Sequence, residues 1–174
     1  MDRGIIIVNT GGGKGKTTAA MGMVLRCIGR NLKTAVIQFI KDEKFRSGEI
    51  DVLRKLGCDV EVCGKGFTWE NSREENAEAF MQGFKKAADK LKSGEYDMVV
   101  LDEINCVLEE NCFGVLKNED FKRILEERCP KTTVVLTGRG APEWLIDIAD
   151  TVTEMKEIKH AFNSGIPALK GIEY

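Results

Sequence analysis

A glycine-rich segment near the N-terminus restricts the possible folds more than any other part of this sequence. It lies between an apolar run, residues 4–10, and a helix-like stretch that begins at Lys16. A strand, a glycine-rich turn and a helix in this order form a phosphate-binding loop, because the glycines let backbone N–H groups point inward at a triphosphate. Lys16 would contact the outer phosphates, and Thr17 would offer its hydroxyl to Mg²⁺. The candidate nucleotide-binding residues of this segment are Gly11, Gly12, Gly13, Lys14, Gly15, Lys16, Thr17 and Thr18.

The loop is one residue shorter than usual. The common spacing, G-x-x-x-x-G-K-[ST], places a glycine six residues before the lysine. This chain has Thr10 at that position. We therefore expect the nucleotide to be bound in an altered way.

Size and charge restrict the class of protein. The 174 residues, 43% of them hydrophobic, can bury one sizeable core, which predicts a single domain over residues 1–174. The net charge of −2, with 26 basic residues interspersed among 28 acidic ones, argues against a nucleic-acid partner. No apolar run reaches membrane-spanning length, and no signal-peptide pattern precedes the first strand. The sequence predicts a cytoplasmic protein without a membrane partner.

Cysteine and histidine give no sign of a zinc site. The six cysteines lack C-x-x-C spacing, and the chain has one histidine, His160. We interpret the cysteines as small buried hydrophobic residues that stay reduced.

Strand-like and helix-like segments alternate along the chain. The strand-like runs are largely apolar on both faces, which favours a parallel sheet covered by helices on both sides. The fold class is therefore predicted as a three-layer α/β sandwich with a mostly parallel sheet, of the RecA-like P-loop nucleotide-binding type. The predicted strands are residues 4–10, 34–39, 60–63, 98–101, 133–137 and 151–155, and the predicted helices are 16–28, 48–56, 72–91 and 118–128.

A second candidate site is the segment 98–103, in which four apolar residues lead into Asp102 and Glu103. Beside a phosphate-binding loop, a strand with carboxylates at its end is typical of a Mg²⁺ site, because this hard cation prefers oxygen ligands. The alternative is a buried strand with a solvated acidic turn.

Two further loops follow predicted strands, at the edge of the sheet where ligands bind in such folds. Phe67 and Trp69 lie on a glycine-hinged loop and would either cap the core or contact a flat apolar substrate. Arg139 follows the strand 133–137 and would either reach the phosphates or form a surface ion pair. The tail from Lys159 onward lacks periodicity, so it would either fold back over the site or fray.

Taken together, these motifs resemble the ATP:corrinoid adenosyltransferases, which attach the 5′-deoxyadenosyl group of ATP to cobalt. The likeness spans nearly the whole chain, and its combination of motifs is specific. It rests on residues 11–20 with the shortened loop, 36–41, 48–49, 66–70, 98–103, 137–139, 149–154, 159–162 and 171–174.

The resemblance implies that ATP lies reversed in the loop, with its 5′ carbon turned toward the corrinoid. Mg²⁺ would be held by Thr17 and Glu103, with Asp102 in support. Phe67 and Trp69 would press on the corrin face and displace the lower axial ligand of cobalt, which makes Co(II) easier to reduce. Together with Lys16, which stabilises the departing triphosphate, these two aromatic residues are the catalytic candidates. The resemblance also suggests Arg26 and Arg139 as nucleotide contacts.

The implied reaction is attack by Co(I) on the 5′ carbon of ATP with release of triphosphate. Co(I) has no proton to lose, so positioning and charge neutralisation suffice without a general base. The implied substrates are cob(I)yrinic acid a,c-diamide, cobinamide or cobalamin, in adenosylcobalamin biosynthesis or salvage. The sequence has no flavin or iron–sulfur motif, which implies a reduced flavoprotein as electron donor.

Members of this family commonly carry a further N-terminal segment that helps to cover the active site. Only three residues precede Gly4 here. We therefore expect either cover by the C-terminal tail, cover by a second subunit in a homodimer, or a more open corrinoid site.

Two other functions fit a phosphate-binding loop. One is a P-loop ATPase or small-molecule kinase, in which Glu103 orients a water or a hydroxyl. The other is a nucleotide-dependent binding switch, in which Phe67 and Trp69 dock a protein. The shortened loop favours adenosyl transfer over the first, and the full set of loop motifs favours it over the second.

Overall fold

The computed structural model describes residues 3–40, 47–64, 72–109 and 117–173, without the side chains of Arg73 and Glu109. Within these ranges the chain alternates between strands and helices in the predicted manner. The strands are β1 (Ile6–Thr10), β2 (Thr34–Gln38), β3 (Asp59–Val62), β4 (Met98–Asp102), β5 (Thr133–Thr137) and β6 (Thr151–Glu154). The α-helices are α1 (Lys16–Ile28), α2 (Gly48–Lys55), α3 (Arg73–Lys92), α4 (Ile104–Glu109), α5 (Asn118–Glu126) and α6 (Glu143–Ile148), followed by a 3₁₀ turn (Ala161–Ser164).

All strand pairs of the six-stranded sheet are parallel, in the order β3-β2-β4-β5-β1-β6. In the register of the central pairs, Val8 lies beside Leu136 and Leu101 also lies beside Leu136. The strands β4, β5 and β1 are therefore consecutive neighbours. Because parallel strands end at the same edge, the loops after these three strands meet there, which is where ligands bind in such sheets.

The core lies on both faces of the sheet. Successive strand residues point to opposite faces, so Leu101 packs with the side chains of α3, α4 and α5, and Val100 packs with those of α1 and α2. Both residues are fully buried. Helices therefore cover both faces, which confirms the predicted α/β fold with a parallel sheet.

The start of α3 follows from a capping box. The Ser72 hydroxyl accepts from the Glu75 N–H at 3.2 Å, and the Glu75 carboxylate accepts from the Ser72 N–H at 2.9 Å. Phe80, Phe84 and Leu91 then repeat at helical spacing and are buried against the sheet. This reciprocal pair satisfies two N–H groups that a helix start would otherwise leave without partners.

Some details of the prediction were wrong. The helix α2 ends at Lys55 rather than at residue 56, and α5 ends at Glu126 rather than at residue 128. The short helix α4 was not predicted, because six residues are too few to show a helical period.

Cys27 and Cys58 are buried as predicted, whereas Cys63, Cys106 and Cys129 are only half-buried; all five are free thiols. In the described ranges, no helix is both long and apolar enough to cross a bilayer.

Candidate nucleotide-binding site

The segment between β1 and α1 has the backbone of a tight loop. Gly11 and Gly15 have φ angles of +94° and +108°, in the left-handed region where a side chain would be strained. The loop therefore turns directly from the end of β1 into the first turn of α1. The first N–H groups of that helix have no partner within it and, with the helix dipole, favour an anion at this end.

The residues after β6 brace the loop from one side. The N–H of Gly13 donates to the carbonyl of Met155 at 2.6 Å, and the N–H of Met155 donates to the carbonyl of Thr10 at 2.8 Å. A Cβ atom at position 13 would lie 2.8 Å from both the carbonyl oxygen of Met155 and the carbonyl carbon of Lys156. Only glycine fits at this position.

Gly13→Ala should therefore lower the free energy of unfolding by about 1–3 kcal/mol, the usual cost of forcing atoms into a packed site. Equilibrium unfolding in urea measures the loss. Gly12→Ala is the matched control, because a Cβ at Gly12 meets nothing within 4 Å. Its stability should stay within about 0.5 kcal/mol of wild type. Equal stability of the two variants would contradict the bracing by Met155.

Lys16 is the buried cation of the loop, with 8% of its surface exposed. Its ammonium donates to the carbonyls of Gly11 and Gly13 at 2.7 and 2.6 Å. Burial lowers the pKa of Lys16, the carboxylate of Glu103 opposes this shift, and the guanidinium of Arg139 adds to it. A positive charge in poor contact with water gains more from a phosphate than an exposed lysine would.

Asp102 lies under the loop and is fully buried. Its Oδ1 accepts from the hydroxyls of Thr17 and Thr137, each at 2.8 Å. Its Oδ2 accepts from the amide of Gln38 at 2.9 Å. Three donors thus compensate this carboxylate for its loss of water, as burial of such a group requires.

Glu103 follows Asp102 and extends into a cavity. Its φ of +62° is uncommon for a residue other than glycine. The backbone N–H of Glu103 donates to the hydroxyl of Thr137 at 2.9 Å, and the thiol of Cys106 donates to Oε2 of Glu103 at 3.3 Å. The turn after β4 is therefore held by contacts at both its backbone and its side chain.

The cavity has a volume of about 720 Å³ and lies beside the phosphate-binding loop. This volume is within the usual range for sites that bind small molecules. Residues of the loop, α1, the start of α2, the turns after β4 and β5, and the C-terminal tail all line it.

The C-terminal tail folds back over the loop, the first of the two predicted alternatives. The ammonium of Lys14 pairs with Oε1 of Glu173 at 2.5 Å, and Oε2 of Glu173 accepts from the N–H of Leu169 at 2.8 Å. Lys14 holds the pKa of the Glu173 carboxyl below its usual range. His160 and Ile172 line the cavity from the same side. The tail therefore forms one wall of the candidate site.

Most of the predicted site residues that the structure describes come together here. Gly11 contributes a carbonyl to Lys16. Arg26 is exposed in the last turn of α1 and is not among the described residues that line the cavity, so its contact with a nucleotide stays a prediction. Phe67 and Trp69 lie outside the described residues. The predicted residues that line the cavity are Gly12, Gly13, Lys14, Gly15, Lys16, Thr17, Thr18, Glu103 and Arg139.

The sequence interpretation missed some residues of the site. Thr137, which contacts both Asp102 and Glu103, was part of a motif without an assigned role. Glu49, His160 and Glu173 also line the cavity. They belong to motifs of the noted resemblance, which was the available signal for them.

The oxygen donors of the site suit Mg²⁺. The hydroxyl of Thr17 and the carboxylate of Glu103 both line the cavity, and hard cations prefer such ligands. Among the described residues, no group of three or more histidine, cysteine or acidic side chains could hold a metal ion by itself. Mg²⁺ is usually bound through one or two carboxylates together with substrate phosphates.

Comparison with known proteins extends over all the residues of this site. The sequence model of one family, described as ATP:corrinoid adenosyltransferase BtuR/CobO/CobP, matches residues 2–174. A corrinoid adenosyltransferase of Escherichia coli (strain K12) is 40% identical over 174 residues, covering 99% of this chain and 87% of the relative. One from Sinorhizobium sp is 43% identical over 177 residues, with 99% and 81% covered. Corrinoid adenosyltransferase CobA of Salmonella typhimurium is 41% identical over 174 residues, with 99% and 87% covered.

Proposed function

The chain belongs to the ATP:corrinoid adenosyltransferase family, and on that premise we propose that it transfers the 5′-deoxyadenosyl group of ATP to the Co(I) of a corrinoid and releases triphosphate. The observation that carries the proposal is that the phosphate-binding loop, Glu103 and Arg139 line the same cavity. In that cavity a triphosphate would meet positive charge while another part of the ATP stays open to a second substrate.

The reaction forms a cobalt–carbon bond and breaks the bond between the 5′ carbon and the triphosphate oxygen. Both electrons of the new bond come from Co(I), and the triphosphate leaves with the electrons of the broken bond. No proton has to be removed from the nucleophile, so the protein needs to position the 5′ carbon and neutralise the leaving group. Lys16, the start of α1 and Arg139 supply that positive charge.

The shortened loop supports attack at carbon rather than at phosphorus. Thr10 stands where phosphate-transferring loops have a glycine. Thr10 also makes two hydrogen bonds. Its hydroxyl accepts from the backbone N–H of Ala141 at 3.2 Å, and its carbonyl accepts from the backbone N–H of Met155 at 2.8 Å. Thr10, the last residue of β1, is thereby tied to the segments that follow β5 and β6. The reversed placement of ATP itself is what membership of the family implies.

We propose that Mg²⁺ accompanies ATP and is held by Thr17 and Glu103. The hydroxyl hydrogen of Thr17 points at Asp102, so the oxygen lone pairs of Thr17 stay available to a cation. When bound, Mg²⁺ would neutralise charge on the triphosphate. Asp102 orients Thr17 and does not itself line the cavity.

The remaining parts of the proposal concern partners and location. Phe67 and Trp69 would displace the lower ligand of Co(II) corrinoids, and a reduced flavoprotein would supply the electron. A homodimer would bury the apolar side chains of Ile158 and Phe162 in the tail, which are 83% and 75% exposed. The free thiols of the described residues support a reducing compartment, the cytoplasm.

Incubation of the protein with ATP, Mg²⁺ and chemically reduced cob(I)alamin should yield tripolyphosphate and a light-sensitive cobalt–carbon product. Absorbance spectra before and after illumination follow the corrinoid, and anion-exchange chromatography follows the nucleotide and phosphate products. An ATPase or kinase would instead release ADP. ADP formation without adenosylated corrinoid would contradict the proposal, and omission of ATP is the control for light-sensitive products of other origin.

A further inference from the structure

We propose that Thr137 is a positioning residue whose single hydroxyl holds both oxygen ligands of the nucleotide-bound cation in place. The inference rests on the proposed function in one respect, the assignment of Thr17 and Glu103 as those ligands. It goes beyond that function by naming a residue that would not touch the cation and yet would set its affinity.

The hydroxyl of Thr137 makes two hydrogen bonds of opposite sense. It donates to Oδ1 of Asp102 at 2.8 Å and accepts from the backbone N–H of Glu103 at 2.9 Å. Thr137 itself is fully buried at the end of β5. Its one hydrogen and one of its lone pairs therefore take part in these two hydrogen bonds, and burial shields both bonds from bulk water.

The first hydrogen bond acts on Thr17. The Oδ1 atom of Asp102 accepts from both Thr137 and Thr17, so the two hydroxyls lie on the same carboxylate oxygen. In this arrangement the hydroxyl hydrogen of Thr17 points at Asp102, and the lone pairs of the Thr17 hydroxyl oxygen are left to face the cavity. Without Thr137, the Asp102 carboxylate would keep its hydrogen bonds with Gln38 and Thr17 but would lose one of the donors that set its orientation, and the hydroxyl of Thr17 would be held less precisely.

The second hydrogen bond acts on Glu103. The backbone of Glu103 is in the left-handed region, with a φ of +62°. A residue other than glycine keeps such a conformation when its surroundings hold it there. The backbone N–H of Glu103 donates to Thr137, and φ is the rotation about the bond from this nitrogen to Cα. The hydrogen bond therefore helps to hold the φ angle of Glu103. Loss of the acceptor would let the turn relax and move the Glu103 carboxylate out of the cavity.

The neighbouring backbone keeps β5 close enough for this role. Gly138 has a φ of +127°, and a Cβ at that position would lie 3.1 Å from Asn105. The amide of Asn105 donates to the carbonyl of Gly138 at 3.1 Å. The turn after β5 is thus pressed against the start of α4, which follows Glu103 directly.

Three variants of Thr137 test the inference. Thr137→Val keeps the shape but has no hydroxyl, Thr137→Ser keeps the hydroxyl, and Thr137→Cys keeps a similar volume with a weak thiol donor. Thr133→Val is the matched control, because Thr133 lies on the same strand and its hydroxyl accepts from the N–H of Ile5 at 3.4 Å, at the opposite end of β5 from the site.

The probe is Mn²⁺ in the presence of ATP, measured by the relaxation enhancement of water protons, which does not depend on turnover. We expect Thr137→Val to weaken Mn²⁺ binding by about 10- to 100-fold, the usual effect of losing an outer partner of a metal ligand. Thr137→Ser and Thr133→Val should stay within about threefold of wild type. Equilibrium dialysis in the presence of EDTA measures ATP binding without the cation. The affinity for ATP under these conditions should be the same in all variants. If Thr137→Val does not fold, Thr137→Cys is compared with Thr137→Ser instead.

Several results would overturn the inference. They are an unchanged Mn²⁺ affinity in Thr137→Val, an equal loss in Thr133→Val or Thr137→Ser, a parallel loss of ATP binding in EDTA, and no Mn²⁺ uptake by the wild-type protein with ATP. Adenosyl transfer is measured on the same samples. A wild-type protein that lacks it while Mn²⁺ affinity still depends on Thr137 would refute the proposed function and leave the inference standing.

Discussion

Replacement of Lys16 by methionine should lower the rate of adenosyl transfer by about 10³-fold, with chemically reduced corrinoid at saturating ATP. Lys16 is the one lysine of the loop that is buried, and its ammonium lies between the carbonyls of Gly11 and Gly13. A charge held in place in a poorly solvated site stabilises a leaving anion far better than a mobile exposed one, and loss of one such donor costs about 10²–10³-fold in rate. Initial rates from the loss of cob(I)alamin absorbance measure the effect.

Lys14→Met is the matched control for this prediction. Lys14 belongs to the same loop, but its side chain is 47% exposed and pairs with Glu173 of the tail. Exposed ion pairs contribute little, so this variant should lose less than about tenfold in rate. Equal losses in the two variants, or a Lys16→Met rate within tenfold of wild type, would show that Lys16 does not act on the leaving group.

The pH dependence of stability gives a second measure of Lys16 that is independent of activity. Burial places the folded-state pKa of Lys16 below the usual 10.5. Between these two values the unfolded chain binds a proton that the folded chain does not, so the contribution of Lys16 to stability rises as the pH rises through this window. Lys16→Met should remove that contribution. Urea unfolding at several alkaline pH values compares the two proteins.

Trp69→Ala should slow adenosylation far more from Co(II) corrinoid with a reductant than from Co(I) prepared beforehand. If Trp69 presses on the corrin face, its removal lets the lower ligand return to cobalt, and this makes reduction harder. We expect a loss of about 100-fold from Co(II), which corresponds to about 2.7 kcal/mol in the activation barrier. The loss from Co(I) should be less than about fivefold, because that step no longer needs reduction. Both rates are measured from the growth of the light-sensitive product.

The second tryptophan of the chain provides the control. Trp144 packs edge-on against Phe121, with ring centroids 6.4 Å apart, at the margin of the core. Trp144→Phe should therefore leave the ratio of the Co(II) and Co(I) rates unchanged. Equal losses of the two rates in Trp69→Ala would indicate that Trp69 is only a packing residue.

Much of the fold could be predicted because its signals are local. The helix α1 has the predicted bounds, Lys16–Ile28, and β5 has the predicted bounds, Thr133–Thr137. The capping box at Ser72 specifies the start of α3 within four residues of sequence. Where the signal was short the prediction failed, as it did for the six residues of α4, whose helix depends on burial of Ile104 and Leu108 under the sheet.

The candidate site could be predicted only in part. Glycine spacing, a lysine and a threonine indicate a phosphate-binding loop because the chemistry acts within eight consecutive residues. Thr137 carries no such signal, because threonine is common in strands for structural reasons alone. The contact of the tail with Lys14 could not be predicted either, because residues 159–173 show no hydrophobic periodicity from which their packing could be inferred.

Local sequence patterns were enough to predict the alternation of strands and helices, the phosphate-binding loop with its shortened spacing, and the family resemblance that the comparisons confirmed. Which residues share the site depends on the three-dimensional fold. The hydrogen bond from Thr17 to Asp102 joins positions 85 residues apart, that between Glu103 and Thr137 joins positions 34 apart, and the pair of Lys14 and Glu173 joins positions 159 apart. The first two contacts depend on the order of parallel strands in the sheet, because that order brings distant strand ends to one edge. The third depends on how the tail folds back. A local sequence pattern specifies neither the strand order nor the path of the tail.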